Sequence, residues 1–213
     1  MTALRDALRL YLVTDPALCA TYGVVNTVRA AVAGGVTMVQ LRDKTATTAE
    51  RIAVARALKQ ALTGTGVPLV VNDDLEAALA AGADGVHIGQ GDISPSEARA
   101  RLGSDRILGL SCETAEAVLA ADPGVVDYLG LGPVFGTATK TDHKQPIGFD
   151  GLARLVALSP RPTVAIGGLK QTHVAEVLAS GADGLAVVSA ICGKPDPRAN
   201  ARAFDFSEGR TAR

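Results

Sequence analysis

In the stretch Val39-Gln40-Leu41-Arg42-Asp43-Lys44, the polar residues Gln40, Arg42 and Lys44 alternate with Val39 and Leu41. Successive side chains on a strand face opposite ways, so one face is apolar and the other carries an amide, a guanidinium and an ammonium. Arg offers a planar fork of donors and Lys a mobile point charge, a pairing suited to a multiply charged oxyanion. An edge strand blunted by charge has the same pattern. What separates the two readings is that other strand ends in the chain also finish in polar groups. Asp73 and Asp92 are the acids placed at the ends of adjacent strands. Two carboxylates beside cationic groups make a hard-oxygen site, and Mg²⁺ prefers one or two carboxylates plus substrate phosphates. Asp73 also suits the N-cap of the helix that follows, and a cap and a metal ligand are compatible. Gly167-Gly168 and Val188-Ser189 fit a phosphate cup of backbone N–H groups. Thr137-Ala138-Thr139-Lys140 brings hydroxyls and an ammonium in a stretch of roughly seventeen residues, 132–148, and a loop that long is more often functional than not. Two anion sites result, one of them with a metal.

These residues are positioned by short aliphatic runs alternating with Ala-rich amphipathic segments. Strands are expected at Leu8–Thr14, Thr37–Arg42, Pro68–Asn72, Gly85–Ile88, Ile107–Ser111, Tyr128–Gly132, Thr163–Ile166 and Gly184–Ser189. Helices are expected at about 25–33, 47–63, 74–81, 94–102, 113–121, 150–158, 171–180 and 197–206. Strict alternation means parallel strands with crossover helices. The simplest closed form is a single-domain α/β fold, the (β/α)8 TIM barrel, over residues 1–206. A doubly wound open sheet is less supported, because no G-x-G-x-x-G motif is present. Ala81-Gly82-Ala83-Asp84-Gly85-Val86 recurs as Ser180-Gly181-Ala182-Asp183-Gly184-Leu185, with a weaker echo at Gly34-Gly35-Val36. The strong copies are four βα units apart, half a barrel, and belong to its structural bottom face. Chemistry then belongs to the opposite rim, where Asn72, His87 and Ser111 join the residues above. No partner acid or nucleophile accompanies His87, which is read as a hydrogen-bonded barrel residue. His143 and His173 read as surface residues, and Cys112 as buried packing.

Composition narrows the classes. Hydrophobic residues make up 47% and aromatics only 3%, which suits aliphatic helices on a parallel sheet. A net charge of −1 gives no general electrostatic case for nucleic acid or an anionic membrane. Three cysteines, Cys19, Cys112 and Cys192, are far apart and suggest neither disulfide framework nor zinc site. No signal peptide or membrane-spanning run is evident, so a cytoplasmic protein acting on small molecules is expected. Residues 207–213 read as a disordered tail. Self-association into a homo-oligomer is compatible with these features.

With those residues in hand, the chain resembles the thiamine phosphate synthase (thiamine-phosphate pyrophosphorylase) family from Leu10 to Ser189. The resemblance rests on Gln40 to Lys44, Val71-Asn72-Asp73, Asp84 to Asp92, Gly109-Leu110-Ser111, Gly132 to Lys140, Ala165 to Gly168 and Ala186 to Ser189 in that order. It implies a (β/α)8 barrel that joins a hydroxymethylpyrimidine diphosphate to a thiazole phosphate, releasing pyrophosphate. It further implies that Gln40, Leu41, Arg42, Asp43, Lys44, Asn72, Ser111 and Lys140 bind the pyrimidine diphosphate, with Arg42, Lys44 and Lys140 catalytic. Asp73 and Asp92 would hold Mg²⁺, and Thr137, Ala138, Thr139, Gly168, Val188 and Ser189 the thiazole phosphate. Asp74 stands where the family often has Arg, and Glu113 where many members have His. The rival readings are a thiazole tautomerase-like isomerase, which depends on a His after strand 5, and a non-catalytic phosphate-ester-binding relative. Glu113 together with Gln40, Arg42 and Lys44 argues against the isomerase.

Overall fold

Short Val/Leu/Ile runs bounded by Gly, Asp and Pro have little choice but to bury both faces, and eight of them do so side by side. A computed structural model of the chain describes residues 2–136 and 145–206. Its strands are β1 (Leu10–Val13), β2 (Met38–Leu41), β3 (Leu69–Asn72), β4 (Gly85–Ile88), β5 (Ile107–Cys112), β6 (Tyr128–Leu131), β7 (Thr163–Ile166) and β8 (Gly184–Val187). They form a closed parallel barrel in sequence order, with β1 pairing both β2 and β8. The helices are α1 (Thr2–Ala7), α2 (Val24–Ala33), α3 (Thr48–Leu62), α4 (Leu75–Ala81), α5 (Pro95–Leu102), α6 (Ala115–Ala120), α7 (Gly148–Leu158), α8 (Val174–Ala179) and α9 (Pro197–Arg202). The (β/α)8 expectation therefore holds. Beyond shifts of a residue or two at other ends, four differences bear on the site and its supports. The sequence pattern did not reveal α1, the expected helix at 171–180 splits into a 3₁₀ turn (Gln171–His173) and α8, α9 stops at Arg202, and β8 stops at Val187 so that Val188 and Ser189 lie in the turn beyond it.

Alternation along each strand divides the core in two. Val39, Leu41, Leu69, Val71, Val86, Ile88, Leu129 and Leu131 pack outward with the helices in one large apolar cluster. Tyr11, Val13, Met38, Val70, Tyr128, Val164 and Ala186 form a second cluster, the barrel lumen. Both are the product of a period of two read against a closed sheet.

The bottom face is built on a repeat that goes beyond the two Gly-Ala-Asp-Gly copies. Asp84 accepts a hydrogen bond from the Leu69 N–H at 2.8 Å and pairs with Lys59. Asp183 does the same for the Thr163 N–H at 2.8 Å and pairs with Arg5. Asp127, preceded by Val125-Val126 where the copies have Gly-Ala, holds the Leu108 N–H at 2.8 Å and pairs with Arg99. Thr37, after the weak Gly34-Gly35-Val36 echo, takes the fourth place and accepts from the Leu10 N–H at 2.9 Å. Each of these groups ties the first or second residue of an odd strand to the approach of the next strand, satisfying a buried donor. The repeat is structural, as its position predicts.

Candidate active site

The candidate side chains of one half of the site lie at the carboxyl ends of β2, β3, β4 and β5. Gln40, inside β2, is 4% exposed and points into the lumen, where its amide donates to the Tyr11 hydroxyl at 2.8 Å. Arg42 and Lys44 follow the strand, Arg42 half-buried and Lys44 exposed. The polar face is thus graded from lumen to solvent and is not a flat row. Leu41 packs its side chain outward among the helices, so only its backbone faces the rim. Asp43 accepts from the Thr45 N–H and hydroxyl at 2.9 Å and the Ala46 N–H at 3.0 Å. Burial alone would raise its carboxyl, but these bonds outweigh that and hold it below the usual range. Asp43 shapes the turn that carries Arg42 and Lys44.

Asp73 occupies a left-handed conformation, φ 61°, rare for a residue with a side chain. The capping role open to it belongs instead to Asp74, which accepts from the Ala77 N–H at 2.8 Å and pairs with Arg51 at 3.0 Å. Asp74 therefore closes α4 and anchors Arg51. Asp73, released from capping, accepts from the Asn72 amide at 2.6 Å. The residue is exposed as a whole. Desolvation of its carboxyl and then the adjoining Asp92 carboxylate push it up to about 7, while Asn72 and the Arg42 charge pull the other way. Asp92 in turn accepts from the Gly89 N–H at 2.7 Å. Two carboxylates forced together, one on a strained backbone, are a donor set whose repulsion a hard divalent cation would relieve. A cavity of about 570 Å³ opens beside them, lined among others by Lys44, Arg51, Asn72, Asp73 and Arg101.

Across the barrel, Gly167 and Gly168 follow β7 at φ 105° and 65°. A Cβ on Gly168 would come within 2.8 Å of the Gly136 carbonyl oxygen and of the Phe135 Cβ, so the backbone of the two loops is in direct contact. That loop is pinned by Phe135 N–H to Gly167 O at 3.0 Å and by Ile147 N–H to Pro133 O at 2.9 Å. Val188 and Ser189 lie beside it, since β7 and β8 are paired. Thr137, Ala138, Thr139, Lys140 and His143 lie outside the described residues, as does the tail from Ser207 to Arg213. His173, expected at the surface, is half-buried against Phe135 and Phe149 at ring-centroid distances of 5.0 and 5.8 Å. It buttresses the base of the loop.

Comparison with known proteins bears on this constellation. The sequence pattern described as thiamine monophosphate synthase matches residues 10–191. A thiamine-phosphate synthase from Psychrobacter sp. (strain PRwf-1) is 52% identical over 196 residues, covering 91% of this chain and 92% of the relative. The chain belongs to the thiamine monophosphate synthase family. A second thiamine-phosphate synthase, from Xanthobacter autotrophicus, is 52% identical over 92% of the chain and 93% of its own length. The solved thiamine phosphate pyrophosphorylase from Pyrococcus furiosus superposes with a TM-score of 0.85 at 36% identity, over 94% of this chain and 95% of that one.

In this member of the thiamine monophosphate synthase family, Asp73 meets Asn72, Asp92 and Arg42, Lys44 shares a cavity with Asn72 and Asp73, and Gln40 and Ser111 bond instead to Tyr11 and His87. His87 is the hydrogen-bonded barrel residue expected, with Nδ1 2.8 Å from the Tyr128 hydroxyl and Nε2 2.9 Å from Ser111 Oγ. Cys112 is fully buried, and burial pushes its thiol up to about 12, as suits packing. Sequence reasoning missed Arg51, Arg101, Tyr11 and Tyr128. For Arg51 a signal was present: Thr47 and Glu50 form a capping box at the start of α3, which places Arg51 in the first turn beside the β2 loop. The tyrosines sat inside runs that read as plain core.

Proposed function

We propose that this chain condenses 4-amino-2-methyl-5-hydroxymethylpyrimidine diphosphate with 4-methyl-5-(2-phosphoethyl)thiazole, giving thiamine phosphate and pyrophosphate. The observation that carries the reading, beside family membership, is the apposition of the Asp73 and Asp92 carboxylates with Arg42 at the ends of adjacent strands. Asp73 and Asp92 would hold Mg²⁺, which when bound supplies positive charge beside a departing diphosphate.

The chain's own residues do the rest. Gln40, the backbone at Leu41, Asp43 through its turn, Asn72 and Ser111 hold the pyrimidine diphosphate. Arg42, Lys44 and Lys140 face the charge that grows on the leaving group, which is electrostatic catalysis without a protein nucleophile. The carbon–oxygen bond to the diphosphate breaks and its electron pair leaves with pyrophosphate. The electron-rich pyrimidinylmethyl cation is captured by the thiazole nitrogen lone pair, which forms the new carbon–nitrogen bond. Thr137, Ala138, Thr139, Gly168, Val188 and Ser189 hold the thiazole phosphate through backbone N–H groups and hydroxyls. Fixing the two rings in register contributes the entropic part. No helix among the described residues is long and apolar enough to cross a membrane. With three buried free cysteines, that fits a cytoplasmic setting.

The test is to supply both precursors with Mg²⁺ and analyse the products. Equimolar thiamine phosphate and pyrophosphate are expected. Isomerised thiazole phosphate without pyrophosphate would establish a tautomerase, and tight phosphate-ester binding with no product would establish a binding protein.

A further inference from the structure

Beside its apolar cluster, the barrel lumen holds a chain of polar side chains, one from each of five strands, joined end to end. The Gln40 amide nitrogen of β2 donates to the Tyr11 hydroxyl of β1 at 2.8 Å. Tyr11 and the Tyr128 hydroxyl of β6 are 2.9 Å apart. Tyr128 meets His87 Nδ1 of β4 at 2.8 Å, and His87 Nε2 meets Ser111 Oγ of β5 at 2.9 Å. All but Ser111 are buried, so the bonds among the other four are made without water to replace them. The barrel makes room for this chain. A side chain at Gly109 would collide with the Tyr128 hydroxyl and the His87 ring, and a Cβ at Gly130 would lie 3.2 Å from His87 Cε1.

Counting protons fixes its direction. Burial pushes both phenols well above their ordinary range, so each keeps one hydrogen to give. With Gln40 donating to Tyr11, Tyr11 must donate to Tyr128 and Tyr128 to His87 Nδ1. A second hydrogen on His87 would leave the Tyr11 hydrogen buried without a partner, so the ring is the tautomer protonated on Nε2, which donates to Ser111. Left over at the two ends are the Ser111 hydroxyl hydrogen and, on the other side, the Gln40 carbonyl oxygen with the second Gln40 amide hydrogen. Reversing any one bond reverses them all.

We infer that Tyr11, Tyr128 and His87 are positioning residues that set the hydrogen-bond polarity of Gln40 and Ser111, making the site select an aminopyrimidine over its oxo counterpart. Resting on the reading that Gln40 and Ser111 hold the pyrimidine, the two ends present an acceptor for an exocyclic amino group and a donor for a ring nitrogen. An oxo ring inverts that pattern, offering an acceptor and a ring N–H. A site built to hydrogen-bond one pattern leaves its polar groups unpaired with the other.

The experiment compares the inhibition constants of the 4-amino and 4-oxo hydroxymethylpyrimidine monophosphates, which keep the ring but have no diphosphate to lose. They are measured in the unaltered protein, in Tyr128→Phe and in Tyr11→Phe, with melting curves on each. The unaltered protein is expected to favour the amino ring by about tenfold or more, the worth of a hydrogen bond or two. Each Phe variant is expected to lose most of that preference while keeping its KM for the thiazole phosphate, and the double variant to lose little more than either single one. If Tyr128→Phe does not fold, Tyr11→Phe carries the test. Preservation of the amino preference in a folded variant overturns the inference, as does preference of the unaltered protein for the oxo ring. A chain that makes no thiamine phosphate at all overturns the underlying function instead.

Discussion

At the residue scale, Asp73 carries the most tension. Its carboxyl is shifted from the 3.8 of an ordinary aspartate to about 7, so between those values the folded chain binds a proton that the unfolded chain does not. In metal-free protein the folded state is therefore favoured by this group at low pH and loses that advantage as pH rises through about 7. A cation must displace the same proton, so Mg²⁺ affinity measured by calorimetry is expected to be weaker at pH 6 than at pH 8, and equal affinities would contradict it. Asp73→Asn removes the repulsion with Asp92 at the same shape. It is expected to leave the metal-free melting temperature unchanged or higher while cutting Mg²⁺-supported turnover at least about a hundredfold, the scale of a lost electrostatic group in an active site. Arg42→Ala and Lys140→Ala are likewise expected to cut kcat far more than they lower the melting temperature, and full activity of either variant would remove that residue from the mechanism. Arg42, Lys44, Asp73 and Asp92 were legible because charged types at strand ends are conspicuous. Tyr11 and Tyr128 were not, because a tyrosine in an aliphatic run looks the same whether its hydroxyl is incidental or bonded.

The elements were legible wherever a single physical signal set them. Aliphatic runs of four to seven residues gave the strands, and Gly82, in a left-handed conformation at φ 66°, ends α4 just past the expected 74–81. The boundaries that moved are those decided by contacts from distant sequence. α1 is too short to show a period, and Asp127 lacks the glycine that marked its two counterparts. Asp127→Ala leaves the Leu108 N–H without its acceptor and removes one of those of Arg99, which keeps the Gly103, Arg106 and Val125 carbonyls. A loss of about 1–3 kcal/mol in denaturant unfolding is expected, the cost of stranding a buried donor, with kcat unchanged. Unaltered stability would mean that water takes the place of the carboxylate. The capping exchange between Asp73 and Asp74 shows the limit of local reading. Either aspartate suits an N-cap, and only the closed barrel decides that Asp74 turns to Ala77 and Arg51 while Asp73 meets Asp92.

At the scale of the whole molecule, barrel closure brings Arg42, Asp73, Asp92 and Ser111 together although they are spread over some seventy residues of chain. Closure also gives the site two unlike surroundings: a wet rim of charge for a diphosphate and a dry lumen whose polar chain has one direction. Strict alternation of elements made the closure legible, while the lumen chain became visible only once five strands faced one another. The most direct measurement is pyrophosphate release with both precursors present, as Mg²⁺ is removed by a chelator and then restored. The expectation is release that stops on chelation, returns with Mg²⁺ and is matched by thiamine phosphate. Undiminished release from metal-stripped protein, or none with Mg²⁺ present, would contradict it.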